Sequence, residues 1–497
     1  MNVVRRLSPL FALLLGALHA CSFAPWNLPW LQVLALAALF ALGARAKSAR
    51  SAALLGFAFG IGWFGVGISW VYVSMHVYGL MPAVLAGAAT AAFCAYLAVY
   101  PALALGLAHR VFSSATWRLA LGLPVLWMFA EWLRGTLFTG FPWLASGYAH
   151  TDGLLAGWAP TLGMYGITLM AALLAGALSL LTLPKRRYGW VAAAFVIVIG
   201  GGWFGSTQSW TAPAGSPISV RLVQANVPQN LKFEPDGIAR AFTTHLALMQ
   251  GPRADLVALS ESIFPVPMQH VPAPYLQAIR DFAQQHRTAV IYGVFLEEPR
   301  GHYFNSAVGY APDDSSLRRY SKRHLVPFGE FIPPGFRWFV DLMKMPIGDQ
   351  QRGTTAQPLA LAGQQVAVNI CYEDLFGAEI IDAWHTSGPA PTLMLNISNL
   401  AWFNDSLALP QHLQISRMRA LETQHPMLRA TNTGATAIID ARGKVAAQLP
   451  YLTAGALNGQ VQGYEGTTPF IRYGNWPALW LAGLLLLAAL VKRRSDR

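Results

Sequence analysis

Long runs of apolar residues fill the first 205 positions of the chain and return close to its C-terminus. A helix needs roughly 20 apolar residues to cross the hydrocarbon core of a bilayer. These runs, separated by short polar loops, predict a polytopic α-helical membrane domain with about eight transmembrane helices. The predicted limits of the helices are 7–24, 27–44, 51–74, 82–108, 119–135, 154–183, 188–205 and 474–491.

The distribution of charge along the chain excludes one class of function. The 497 residues carry a formal net charge of +12, yet the 20 Lys and Arg residues between 215 and 472 are balanced by 20 Asp and Glu residues. The positive excess therefore belongs to the membrane segments and does not come from a basic nucleic-acid groove. Fourteen Lys and Arg residues fall at the two ends and in alternate loops, whereas the short loops opposite contain Arg134 alone.

This asymmetry predicts an orientation, because basic residues accumulate on the cytoplasmic side of a membrane. Both termini are expected to be cytoplasmic, and segment 215–472 is expected on the periplasmic side of a bacterial inner membrane. A transporter is a less favoured alternative, since transport requires ionisable side chains that are rare within the predicted helices. Glu131 and Arg134, three residues apart in the fifth helix, are predicted to form a local ion pair.

The outer segment has the pattern of a soluble α/β domain, in which short apolar stretches alternate with longer amphipathic ones. Residues Ser206–Pro217 are predicted to form a polar linker from the seventh helix. The predicted strands are Val220–Ala225, Asp255–Ser260, Ala289–Phe295, Ser306–Tyr310, Val366–Ile370, Thr392–Ile397 and Ala435–Asp440. The predicted helices are Ile238–Gln250, Tyr275–His286, Ala378–His385 and Gln411–Thr423.

Cys371 is the only cysteine of the outer segment, so it has no disulfide partner there in an oxidising compartment. It follows the predicted strand Val366–Ile370 and begins a polar turn that leads into a helix. Such a turn exposes a nucleophile at the edge of a sheet, where backbone N–H groups can receive an oxyanion. The alternative is an inert buried thiol.

A thiol with an ordinary pKa of about 8.5 needs a base or a positive neighbour to react at neutral pH. Glu261 ends the apolar run 255–260, and Lys322 lies in a dense block of charged and aromatic residues, 319–333. Either residue by itself is explained better as a surface charge, Glu261 at a solvated strand end and Lys322 in a surface charge run. Together with Cys371 they supply a base, a cation and a nucleophile.

Several segments of the outer domain share a recognisable pattern. They are Ser260-Glu261, Tyr320 to Lys322, Gly329 to Pro333, Asn369 to Glu373, Asn396 to Asn399, Ala401 to Phe403, Gln411 to Glu422 and Arg429 to Gly434. In this order they resemble the nitrilase superfamily, and the whole chain resembles the apolipoprotein N-acyltransferase family. The resemblance implies a seven-helix transmembrane domain at 1–214, a periplasmic nitrilase-like catalytic domain with an αββα sandwich at 215–472, and a transmembrane helix with a basic cytoplasmic tail at 473–497.

The resemblance also implies a ping-pong acyl transfer with a Glu-Lys-Cys triad. Glu261 is expected to be the general base, Lys322 to stabilise the oxyanion and Cys371 to be the nucleophile. The acyl donor would be a membrane phospholipid, and the acceptor would be the α-amino group of the N-terminal diacylglyceryl-cysteine of an apolipoprotein. A membrane-tethered amidase or nitrile hydrolase is the alternative, because it would use the same residues and pass the thioester to water.

Supporting residues are expected around these three. Glu330 is predicted to hydrogen-bond Lys322 or the attacking amine, while Tyr372 and Glu373 are predicted to shape the oxyanion pocket and the turn. Phe233 and Trp402 are expected to contact substrate.

Two positions depart from the family pattern. Phe233 stands where Trp is expected, and Leu400 stands where Asp is usual. Segment 331–343 is apolar but edged with charge, which fits either an arm over the membrane surface or simple packing on the domain.

No cofactor and no metal site are predicted. The 12 histidines are scattered, and no two stand at ligand spacing near a cysteine or carboxylate cluster. The acyl donor itself would supply the energy for the transfer. Nothing in the chain requires an oligomer, so a monomer is expected.

Overall fold

The structure is a computed structural model that describes residues 2–184, 187–229, 235–298, 301–338 and 349–495. The chain divides into two units. The first comprises Met1–Tyr72, Pro82–Gln208 and Thr468–Arg497, and the second comprises Val73–Met81 and Ser209–Thr467.

The first unit is built from helices. In chain order these are α1 Asn2–Ala20, α2 Pro29–Ala44, α3 Ala49–Gly67, α4 Ala83–Val111, α5 Leu123–Arg134, α6 Ala159–Leu180 and α7 Tyr188–Thr207, followed near the C-terminus by Pro469–Tyr473 and Trp476–Ser495. Short helical turns at Arg118–Gly122, Ser146–His150 and Leu154–Trp158 join them.

Within the described residues, four helical segments are long and apolar enough to cross a membrane. They are Ala49–Gly67, Ala83–Val111, Leu154–Leu180 and Tyr188–Thr207. Three further apolar helices are shorter, at Leu7–Ala20, Pro29–Ala44 and Trp476–Val491. The membrane character predicted from the apolar runs is thus present, whereas the count of about eight spans stays a prediction.

Helices α1 and α3 approach each other closely because glycine lies on each side of their contact. A Cβ atom at position 62 would lie 1.9 Å from the Leu13 carbonyl oxygen, and one at position 16 would lie 1.9 Å from the Phe59 carbonyl oxygen. Small residues of this kind let helix backbones pack together where lipid provides no hydrophobic driving force.

The predicted ion pair between Glu131 and Arg134 is wrong. Both side chains are buried and described, but they bind different partners. Glu131 accepts hydrogen bonds from the Ser146 backbone N–H at 2.8 Å and from the Thr168 hydroxyl at 3.3 Å. Arg134 donates to the Trp143 carbonyl at 2.8 Å. The two charges still act on each other through space, but no salt bridge within 4.0 Å joins these two described side chains.

In the part of the chain that the structure describes, the second unit contains two six-stranded sheets. The strand order in the first is β12-β1-β2-β3-β4-β5, and in the second it is β11-β10-β9-β8-β7-β6. The strands are β1 Thr211–Gln224, β2 Leu256–Ala258, β3 Ala289–Glu298, β4 His302–Ala311, β5 Asp314–Ser321, β6 Leu359–Leu361, β7 Gln364–Ile370, β8 Leu393–Ser398, β9 Met427–Thr431, β10 Ala437–Ile439, β11 Val445–Gln448 and β12 Gly455–Gly466.

Among the described residues, four helices flank these sheets: α8 Pro235–Met249, α9 Ala273–His286, α10 Gly377–Ile380 and α11 Ala408–Thr423. One apolar core lies between the sheets and joins residues such as Leu222 and Ile291 to Val366 and Leu395. A second core packs α8 and α9 on the first sheet, and a third packs α10 and α11 on the second. The αββα sandwich implied by the resemblance is therefore present.

The linker predicted at Ser206–Pro217 is only partly correct. Strand β1 begins at Thr211, and its first residues pair with β12 from Thr211 opposite Gly466. The polar, Gly- and Pro-containing sequence conceals this strand, because long-range pairing with β12 determines it rather than local preference.

The strand directions bring several loops to one edge of the sandwich. Strands β1, β2 and β3 are parallel, and β5 runs in the direction of β3 because β4 is antiparallel to both. Strands β7, β8 and β9 are likewise parallel. In parallel strands the carboxyl ends meet at one edge, which is where α/β folds place their sites.

We predict that Gly62→Ala lowers the stability of the helical unit by about 1–3 kcal/mol, because the new methyl group overlaps the α1 backbone. Thermal unfolding in detergent measures the change. Gly65→Ala is the matched control on the same helix, since a Cβ atom added there would meet nothing within 4 Å. Equal melting temperatures for the two variants would contradict the close α1–α3 contact.

Candidate active site

Glu261 follows β2 and is 6% exposed. Its Oε1 accepts a hydrogen bond from Asn305 Nδ2 at 2.7 Å, and its Oε2 accepts one from the Asn399 backbone N–H at 2.7 Å. The first donor comes from β4 and the second from the end of β8, so both sheets hold this carboxylate. Each oxygen keeps a lone pair that can take a proton.

Lys322 follows β5 and is 1% exposed. Its Nζ lies 2.8 Å from Glu330 Oε1 and 3.8 Å from Glu261 Oε1. Burial lowers the pKa of Lys322, but the charges of Glu330 and Glu261 outweigh this effect and raise the pKa above its ordinary value. The ammonium group therefore stays charged inside the protein.

Cys371 follows β7 and begins a helical turn, Cys371–Leu375, with a φ of 53°. Its thiol is close enough to Glu261 and Lys322 for both charges to act on it. Burial raises the pKa of the Cys371 thiol well above its ordinary value, Glu261 raises it further, and Lys322 opposes them. A neutral thiol is therefore the resting form, and it needs a base in order to react.

The structure thus brings Glu261, Lys322 and Cys371 together at the edge formed by the strand ends. Glu330 joins them as predicted, through its ion pair with Lys322 and through the same Asn305 amide at 3.0 Å. Its second oxygen accepts from the Val326 backbone N–H at 2.8 Å. Glu330 is consequently fixed on three sides and holds Lys322 in place.

Glu373 acts on the turn through its hydrogen bonds. Its carboxylate accepts from the Tyr320 hydroxyl at 2.9 Å and from the backbone N–H groups of Ile370 at 2.7 Å, Arg323 at 2.6 Å and His324 at 3.1 Å. Burial raises the pKa of Glu373, while Lys322 and these donors oppose the rise. Glu373 therefore ties the turn Cys371–Leu375 to the segment that carries Lys322.

Tyr372 is buried against Phe376, with ring centroids 5.2 Å apart, and lies 5.7 Å from the His324 ring. Trp402 is 37% exposed and contacts the Tyr78 ring edge-on at 6.1 Å. Leu400 is buried in the short turn Leu400–Phe403.

Phe233 lies outside the described residues. The predicted arm is described only as far as Trp338, where Phe336 and Trp338 are exposed.

Known proteins match this chain over essentially its whole length. Residues 15–177 match the model of the apolipoprotein N-acyltransferase N-terminal domain, and residues 219–469 match that of carbon-nitrogen hydrolases. The apolipoprotein N-acyltransferase of Ralstonia nicotianae is 50% identical over 99% of this chain and 94% of its own length. That of Nitrosomonas europaea is 43% identical over 100% of this chain and 99% of its own.

The chain belongs to the apolipoprotein N-acyltransferase family. Among solved structures, Nit3 of Saccharomyces cerevisiae, described as a member of branch 10 of the nitrilase superfamily, is similar at 16% identity and a TM-score of 0.38. The similarity covers 51% of this chain and 92% of Nit3.

Sequence analysis assigned no role to two asparagines of this family member. Asn305 lies in the interior of β4 and donates to both Glu261 and Glu330, while Asn399 follows β8 and presents its backbone N–H to Glu261. The Asn399 side chain also accepts from Asn432 at 3.0 Å. An Asn within an apolar strand is the signal that could have identified Asn305, because a buried amide needs partners.

No group of three or more His, Cys, Asp or Glu side chains within the described ranges could hold a metal ion. The Lys322 ammonium group offsets part of the negative charge of Glu261 and Glu330.

We predict that Lys322→Met lowers the free energy of unfolding by about 3–5 kcal/mol, because Glu261 and Glu330 then remain buried without a counter-charge. Denaturant titration of the full chain in detergent checks this value. Lys444→Met, at an exposed position, should change stability by less than about 0.5 kcal/mol. Similar losses in the two variants would show that the buried charge balance is unimportant.

Proposed function

We propose that this chain transfers a fatty acyl group from a membrane phospholipid to the α-amino group of the N-terminal diacylglyceryl-cysteine of apolipoproteins. The observation that carries the proposal is a partly buried Cys371 thiol on which the charges of the Glu261 carboxylate and the Lys322 ammonium group act, in a member of the apolipoprotein N-acyltransferase family. A thioester on Cys371 is the intermediate.

In the first half-reaction, Glu261 takes the thiol proton and the Cys371 sulfur attacks the carbonyl carbon of a phospholipid ester. Lys322 stabilises the resulting oxyanion, a contribution worth about 10²–10³ in rate for a single donor in other enzymes. The oxyanion collapses, the ester C–O bond breaks, and the proton on Glu261 passes to the departing lysophospholipid oxygen. The enzyme is left with a thioester and an ionised Glu261.

In the second half-reaction, the acceptor amine attacks the thioester carbonyl and Glu261 takes a proton from the nitrogen. The carbon–sulfur bond breaks, the amide forms, and Cys371 recovers its proton. The hydrogen bonds from Asn305 and Asn399 support this role, because they orient Glu261 without protonating it. Glu330 holds Lys322 in place and Glu373 holds the turn Cys371–Leu375, while Tyr372 shapes the oxyanion pocket. Phe233 and Trp402 are proposed to contact substrate.

The membrane part of the proposal is an arrangement of eight transmembrane helices. Seven lie in a domain at 1–214, the catalytic domain at 215–472 is periplasmic, and residues 473–497 form the last helix and a cytoplasmic tail of a monomer. The one-sided distribution of basic residues supports this orientation. Burial of an acyl chain in the bilayer is favourable by roughly 0.8 kcal/mol per CH₂. A reaction at the inner membrane lets the acyl chain of the donor stay in the bilayer.

A membrane-tethered amidase is the second candidate, favoured by the match of residues 219–469 to carbon-nitrogen hydrolases. It would discharge the same thioester to water. The two candidates differ only in the acceptor.

The deciding experiment is intact mass spectrometry of the purified protein after incubation with phospholipid alone. We expect one acyl mass that hydroxylamine removes, located on Cys371 by peptide mapping and lost in Cys371→Ala but kept in Cys94→Ala. A diacylglyceryl-cysteine peptide should then discharge it. An absent adduct would overturn the proposal, and discharge by water as fast as by the peptide would favour the amidase.

The role of Glu261 predicts a change in pH dependence. Because the Cys371 pKa is raised, little thiolate exists at neutral pH, and its fraction rises about tenfold per pH unit below that pKa. We expect thioester formation by the unmodified enzyme to vary little from pH 7 to 9. In Glu261→Gln it should be at least about 100-fold slower at pH 7 and should rise steeply with pH.

Single-turnover assays with labelled phospholipid measure these rates. Glu298→Gln, which alters a carboxylate at the end of β3, is the control and should keep the original profile. A pH profile for Glu261→Gln as flat as that of the unmodified enzyme would exclude Glu261 as the base.

A further inference from the structure

A second cluster of buried polar side chains joins the turn Cys371–Leu375 to α11 and β9. Asp374 in the turn is 0% exposed. Its Oδ1 lies 2.7 Å from His412 Nε2, and its Oδ2 lies 3.0 Å from Arg429 Nη1. The Ser416 hydroxyl also donates to Asp374. The chemistry proposed above uses none of these four residues.

The contacts determine which nitrogen of His412 carries the proton. Arg429 Nη2 lies 3.0 Å from His412 Nδ1, and a guanidinium group can only donate. The Nδ1 atom must therefore accept, which places the proton on Nε2. Burial lowers the pKa of His412, and the Arg429 charge adds to this although Asp374 opposes it, so the ring is neutral.

The Nε2–H group of His412 also reaches the nucleophile. It lies 3.2 Å from the carbonyl oxygen of Cys371, in addition to its contact with Asp374. Asn396 Nδ2 lies 3.2 Å from the same carbonyl oxygen. Two donors on one carbonyl matter here because Cys371 has a φ of 53°, a conformation that residues with a Cβ adopt only when their surroundings impose it.

We propose that His412 is a positioning residue: its Nε2–H group holds the Cys371 carbonyl so that the thiol faces Glu261 and Lys322, while Asp374 and Arg429 keep His412 in the donating tautomer. The inference rests on the proposed role of Cys371 as nucleophile. Loss of the donor should let the turn relax toward ordinary backbone angles, which rotates the sulfur away from its base.

The test measures alkylation of Cys371 by iodoacetamide in the full-length protein, with the modified peptide quantified by mass spectrometry. This readout needs no acyl donor, so it reports on the thiol even if the protein proves not to be an acyltransferase. His412→Leu keeps the side-chain volume but removes the donor, whereas His412→Gln keeps an N–H group of similar reach.

His425 provides a matched control. It is as buried as His412 and belongs to the same unit, but its Nδ1 lies 2.7 Å from the Thr423 carbonyl oxygen rather than near Cys371. A purely structural role for a buried histidine would give His425→Leu and His412→Leu the same phenotype. Melting temperatures are measured for every variant so that lost stability is separated from lost reactivity.

We expect His412→Leu to slow alkylation of Cys371 and formation of the acyl adduct at least about tenfold, the effect of a misplaced nucleophile. His412→Gln should recover most of the alkylation rate. His425→Leu should keep an alkylation rate within about twofold of that of the unmodified protein, provided that its melting temperature lies above the assay temperature. If the unmodified protein forms no acyl adduct but the variants show the expected alkylation rates, only the proposed function is rejected.

If Cys371 is alkylated in His412→Leu at the original rate, the inference is overturned. Equal slowing of Cys371 alkylation in His412→Leu, His412→Gln and His425→Leu would overturn it too. If His412→Leu does not accumulate, His412→Met replaces it, because methionine has a similar volume and also lacks an N–H donor. An unchanged alkylation rate in His412→Met would then overturn the inference in the same way.

Discussion

The balance of charge around Lys322 is the constraint on which the site depends. A buried ammonium group is costly unless carboxylates surround it, and two buried carboxylates are costly without the ammonium group. Glu261 follows β2 and Lys322 follows β5, while Glu330 comes from the turn beyond Lys322. The three charges therefore require the first sheet to be assembled before any of them is stable in the interior.

The second sheet supplies Cys371, the proposed nucleophile, and part of the hydrogen-bond network around it. Cys371 follows β7, Asn399 follows β8, and Arg429 lies within β9. Asn399 and Arg429 reach across or along the strand ends to partners far away in the chain: Asn399 to Glu261, and Arg429 to Asp374. A site divided between two packed sheets has its donors and acceptors fixed by the rigid core between them, which is what preorganised acyl chemistry requires.

Most of the apolar strands could be predicted from sequence, although the short apolar strand β6 was missed, and the strands rich in polar residues could not. Strands β3, β7 and β8 and helices α8, α9 and α11 lie where the hydrophobic pattern indicates, with ends shifted by a few residues. Strand β5 escaped prediction because it is an edge strand rich in charged and polar residues. Strand β9 escaped because it contains Arg429, and a local pattern assigns arginine to the surface unless its buried partner, Asp374, is known.

The sequence by itself determined that the chain has apolar helices long enough for a membrane, an α/β outer domain, and a lone Cys371 with Glu261 and Lys322 in suggestive surroundings. These are properties of composition, periodicity and local motif. Only the tertiary structure decided that Asn305 links two carboxylates, that Glu131 binds Ser146 and Thr168, and that His412 reaches the carbonyl of Cys371. Such contacts join residues tens of positions apart, and their geometry depends on strand register and side-chain direction, which no local pattern encodes.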